Sequence, residues 1–133
     1  MGSVHKQGLV FYLKGDHWKD SWLLLRSSPD GQLWLKLYKS LACRKLLAQL
    51  QLTGPTLKSM RMGRAAAEGR PVLKDERVSL ESLWSLPVGR KPLCLAANSA
   101  KSLQAWQSAI VDALPGLFAA FLAYSGRWSR NWA

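Results

Sequence analysis

Lys14, Lys19, Lys36, Lys39, Arg44 and Lys45 are the residues in this chain best suited to chemistry, and that chemistry is the binding of anions. Lysine brings a compact positive charge, and arginine a planar fork that grips a phosphate with two hydrogen bonds. Other chemistry finds no constellation. His5 and His17 have no cysteine or carboxylate at ligand spacing, and Cys43 and Cys94 have no CxxC arrangement. "GRAAAEGR" at 63–70 is no P-loop, because the Gly-Lys that would hold a nucleotide's phosphates is missing. No enzyme activity, cofactor or metal is expected.

Composition points the same way. The 133 residues carry 19 Lys and Arg against 8 Asp and Glu, a net charge of +11. The excess is +6 over residues 1–60 (nine against three) and +5 over the rest (ten against five), so it is no detachable basic tail. A domain this basic favours anionic partners: acidic membrane, nucleic acid or acidic proteins. Solvated charge without a specific partner is the plain alternative. Both cysteines read as reduced cytosolic thiols, since nothing like a secretory signal is present. No apolar run approaches the roughly 20 residues that span a bilayer. Gly2 would suit acylation, but Lys6 stands where that signal needs Ser or Thr, and none is expected.

The elements that must hold these residues are mostly strands. Residues 7–14, "QGLVFYLK", lie between two glycines, and "GDHW" supplies a turn into a second extended run at 18–26. There Trp18, Asp20 and Trp22 fall on one face, and Lys19 and Ser21 on the other. "SSPDGQ" turns into "LWLKLYK" at 33–39, whose strict alternation is the clearest strand signal present. Short turns make these three an antiparallel meander. Paired so, Lys14, Lys19, Lys36 and Lys39 lie near one another, with Arg44 and Lys45 just beyond. Lys36 shares its face with Trp34 and Tyr38, so solvating that face is its other reading.

Further along, 45–52 and 56–62 read as a fourth and fifth strand, and 63–77 as a mobile basic loop. "VSLESLW" and "RKPLCLAA" read as two last strands around a turn at Pro87-Val88-Gly89. From Asn98-Ser99 to Pro115, Leu103, Trp106, Ile110 and Leu114 recur at helical spacing, giving one amphipathic helix. Residues 4–114 form the expected domain. Residues 115–133 are an extension: disordered, a short extra helix over 117–124, or an interfacial anchor mixing Trp128 and Trp132 with Arg127 and Arg130.

Three stretches carry a resemblance. "GLVFYL…HWKDSWLLLR" resembles the opening hairpin of pleckstrin homology (PH) domains, "GQLWLKLYKS" their third strand, and "LCLAANSAKSLQAWQSAIVDAL" their last strand and helix. The hairpin with its short first loop also looks like that of the downstream-of-tyrosine-kinase adaptors. The resemblance implies a mainly β fold: a seven-stranded, partly open antiparallel barrel of two packed sheets, capped by a C-terminal helix with Trp106 in the core. It also implies a phosphoinositide clamp of a first-strand lysine and a second-strand Lys-x-Arg pair. Lys19 matches that second-strand lysine. Ser21 stands at the arginine, and Tyr12 at the commonest first-strand lysine, with Lys14 the nearest substitute.

The expected function is therefore a non-catalytic signalling or adaptor module, cytoplasmic and peripheral at the inner face of membranes. It would bind acidic phospholipids or phosphoinositides with low selectivity through Lys14, Lys19, Lys36, Lys39, Arg44 and Lys45. The competing class is a protein-interaction module that takes a peptide, a small GTPase or a second copy. Nucleic acid is an alternative on charge alone, and is not the expected partner.

Overall fold

Alternating apolar residues in the first third of the chain build three long strands, and everything else is arranged around them. A computed structural model of the chain describes residues 2–67 and 75–114. Strands β1 (Ser3–Lys14), β2 (His17–Ser27), β3 (Leu33–Tyr38) and β4 (Leu46–Gln51) run antiparallel, followed by a short helix α1 (Gly54–Ser59). Strands β5 (Arg61–Met62), β6 (Leu83–Leu86) and β7 (Leu93–Ala96) complete the sheet, and helix α2 (Ala100–Ala113) ends the described chain. The fold is mainly β, with strand order β4-β3-β2-β1-β7-β6-β5 and a sheet that does not close on itself. Its two halves are one continuous sheet, because β1 pairs with β2 on one side and β7 on the other.

The inner face encloses the main core. Val10, Leu23, Leu25, Leu35, Leu37, Leu50, Trp84, Leu86 and Leu95 pack there against Leu103, Trp106 and Ile110 of α2. Helix α2 starts where its sequence says, with the Ser99 hydroxyl accepting from Ser102 N–H at 3.0 Å. Trp106 is 1% exposed and meets Trp84 with ring centroids 6.2 Å apart, a tilted aromatic pair. On its other side the Lys6 ammonium lies 5.1 Å from the ring centre.

Two readings are corrected. Residues 56–62 are not a strand: α1 occupies 54–59, and only Arg61 and Met62 pair with β6. The cause is local. Thr53 and Thr56 form a reciprocal capping box, Pro55 sits in the first turn where its missing N–H costs nothing, and Leu57 and Met60 are buried three residues apart. In "VSLESLW" a 3-10 turn at Leu80–Ser82 precedes β6, so the strand starts only at Leu83.

The 63–77 segment also differs from a mobile loop where it is described. Gly63–Ala67 form a 3-10 turn whose Ala66 is 4% exposed. Ala66, Ala67 and Val78 cover a second apolar cluster on the sheet's outer face, made by Phe11, Trp18, Leu83, Cys94 and Ala96. The rest of that segment (68–74) lies outside the described residues, as do the extension at 115–133 and its three readings.

Candidate anion-binding mouth of the barrel

The β1–β2 connection is a two-residue hairpin loop, Gly15-Asp16, with Lys14 opposite His17 and Gly15 at φ 62. Such tight loops need a residue that tolerates positive φ, and glycine does so without a Cβ clash. Register then fixes the faces. Val10 opposes Ser21, Tyr12 opposes Lys19 and Lys14 opposes His17, all on the inner face. Leu9 with Trp22, Phe11 with Asp20 and Leu13 with Trp18 lie on the outer face. Lys14 and Lys19 therefore stand at the rim of the barrel, one step beyond the last core residues.

Antiparallel order brings two more loops to that rim. Tyr38 pairs with Leu46, so the β3–β4 loop (39–45) lies at the same end, carrying Lys39, Arg44 and Lys45. Leu86 pairs with Leu93, and Tyr12 with Leu95, so the β6–β7 loop (87–92) joins them with Arg90 and Lys91. All seven of these cations are exposed, and none forms an ion pair with a described residue. Arg90 and Lys91 are not singled out by the sequence. Their place depends on the β1–β7 pairing, which joins residues more than eighty positions apart.

Lys36 is not brought to the mouth. It lies mid-strand opposite Leu24 and Gln49 on the outer face, with its ammonium 6.0 Å from the Trp34 ring centre. Five of the six expected residues thus share one end, and the sixth solvates an aromatic face.

Ser21 is 2% exposed, and its hydroxyl donates to Val10 C=O at 3.1 Å. The position that would carry the second-strand arginine is therefore satisfied internally and adds no charge to the rim. Beneath the rim, Leu37, Ala48, Leu86, Val88 and Leu93 close the interior, leaving about 10 Å³. That is room for one water at most.

Asp20 follows Lys19 in sequence but leaves the mouth. It faces outward, and Arg77 holds it, Nη1 to Oδ1 at 3.3 Å. Arg77 also donates to Asp75 at 3.0 Å and to Trp18 C=O at 3.4 Å, with its guanidinium 4.9 Å from the Phe11 ring centre. The hydrogen bonds from Arg77 hold the Asp75 carboxyl below the ordinary carboxylate range, and the same contact raises Arg77. This clasp fastens the chain after residue 74 onto the outer face and pairs the one acidic side chain of β2.

No family model and no curated protein matches the chain. Solved structures do. The crystal structure of the carboxyl-terminal PH domain of pleckstrin matches with a TM-score of 0.53 and 19% identity, covering 83% of this chain and 95% of that one. A structure of the C-terminal PH domain of human pleckstrin gives 0.54 and 20%, covering 84% and 88%. The C-terminal PH domain of pleckstrin in complex with D-myo-Ins(1,2,3,4,5)P5 gives 0.53 and 19%, covering 85% and 100%. The fold is PH-like.

Proposed function

We propose that this chain is a non-catalytic signalling module that binds anionic membranes, acidic phospholipids or phosphoinositides, through the mouth of its barrel. The observation that carries this reading is the convergence at one end of seven exposed cations, none ion-paired among the described residues, from the β1–β2 hairpin and two loops. Each basic residue near an anionic leaflet contributes on the order of 1 kcal/mol. Binding is then loose in stereochemistry, because a filled interior and a buried Ser21 leave no deep clamp for one headgroup. The pleckstrin domain solved with an inositol pentakisphosphate supports the ligand class, since a ring of phosphates satisfies such a rim. The attachment proposed is peripheral, at the inner face of a cytoplasmic membrane; no helix among the described residues is long and apolar enough to cross a bilayer.

A protein-interaction module is the second reading, favoured by β4, whose outer edge pairs with no strand among the described residues. Sedimentation with vesicles separates the two. Vesicles of phosphatidylcholine alone are expected to leave the chain in solution, and added phosphatidylserine or phosphoinositide to pull it down. Raising salt from about 0.05 to 0.5 M is expected to release it, because screening shortens the reach of the rim charges. No binding to acidic vesicles at low salt would exclude the membrane reading. Binding to one phosphoinositide alone would exclude low selectivity.

A further inference from the structure

The large apolar side chains that the fold leaves in water are unevenly placed. Five are exposed among the described residues, and two of them, Leu41 and Leu46, bracket Arg44 and Lys45 at the β3–β4 loop. Leu41 is the most exposed of all, at 67%. None of the five lies in either of the other two loops of the mouth. The loop that carries Leu41 is internally bonded: Lys39 N–H donates to Lys45 C=O, and Cys43 N–H to Ser40 C=O, each at 3.0 Å. Leu41 sits inside that turn and projects into solvent. It also walls a notch of about 250 Å³ with Leu9, Trp22, Lys39 and Asp20, the last already paired with Arg77. The one polar atom of the Trp22 ring is already committed, donating to Gln7 Oε1 at 3.0 Å.

An apolar tip ringed by cations fits an anionic bilayer, where a layer of phosphate lies directly over hydrocarbon. A purely polyanionic partner would satisfy Lys39, Arg44 and Lys45 but offer Leu41 nothing. We infer, resting on the membrane reading above, that the β3–β4 loop is the part of this surface that enters the bilayer. Leu41 passes below the headgroups, while Lys39, Arg44 and Lys45 keep their charges among the phosphates and bury only their apolar stems.

Cys43, half-buried in the same loop, takes an environment-sensitive NBD label, whereas Cys94 is buried. On phosphatidylcholine–phosphatidylserine vesicles the label is expected to shift to the blue and to become shielded from an aqueous quencher. Leu41→Ser in the unlabelled chain is expected to weaken vesicle binding about tenfold, with the salt dependence and Tm unchanged. Wild-type affinity in Leu41→Ser, or a label that stays in water on vesicle-bound protein, overturns insertion and leaves the electrostatic reading standing. Failure of the wild-type chain to bind these vesicles overturns both. Self-association that Leu41→Ser abolishes, with vesicle binding untouched, makes the loop a protein contact and overturns insertion.

Discussion

Trp106→Ala is expected to lower the free energy of unfolding by about 3–5 kcal/mol, the largest loss from any single change proposed for this chain. The indole is almost wholly buried, and two strands of the sheet, β6 and β1, meet it. Trp84 packs on it from β6, Lys6 lies over its ring, and Gly8 has space for only an ordinary contact with it, a Cβ there falling 3.8 Å from the ring edge. Truncation leaves a cavity that the helix cannot collapse into without leaving the sheet. Against a typical total of about 5–15 kcal/mol, the loss is a large fraction of all the stability present. Urea denaturation would read it as a lower midpoint at unchanged slope. A loss below about 1 kcal/mol would mean that α2 is not the lid of the core.

Replacing Lys14, Lys19, Arg90 and Lys91 together by alanine is expected to weaken binding to anionic vesicles about 10³-fold, taking on the order of 1 kcal/mol for each charge. The two pairs divide the effect. Lys14→Ala with Lys19→Ala removes the β1–β2 share, and Arg90→Ala with Lys91→Ala the β6–β7 share, each about 30-fold by the same reckoning. Lys36→Ala is the internal control, for its charge sits on the outer face and its loss should barely register in the same vesicle titration. An unaffected Arg90 and Lys91 pair would confine the surface to the first four strands. An effect of Lys36→Ala equal to that of Lys19→Ala would move it to the outer face.

How far the sequence discloses these features depends on the range of the interaction that sets each one. β1 to β3 and α2 are legible because their signals are local: alternation in "LWLKLYK", a glycine turn, and an apolar stripe that begins just after the Ser99 cap. α1 is misread because Leu57, Ser59 and Arg61 happen to alternate, while the deciding signal is the Thr53–Thr56 box with its proline. The mouth is half legible. Lys14, Lys19, Lys39, Arg44 and Lys45 follow from a meander of neighbours, whereas Arg90 and Lys91 need a pairing between the two ends of the domain. The environment of Asp20 is invisible in sequence, since its partner Arg77 lies fifty-seven residues away and comes back across the outer face.

β1 joins the two halves of the sheet unequally. Its ladder with β2 runs the length of the strand, but with β7 it consists of two residue pairs, Phe11 with Ala96 and Tyr12 with Leu95. That short ladder is the seam between the two halves of the sheet, the weaker of the two joins that β1 makes. The cations of the mouth straddle it, Lys14 and Lys19 on one side, Arg90 and Lys91 on the other. A polyanion bound across the rim would therefore act as a staple, raising the free energy of opening by the strength of its own binding. The amide hydrogen of Ala96, which by alternation from Ala97 N–H (bonded to Ser82 C=O on the β6 side) points toward β1, is then expected to exchange more slowly with deuterium when a soluble inositol polyphosphate is present. Equal exchange with and without it would place the bound anion on one side of the seam only.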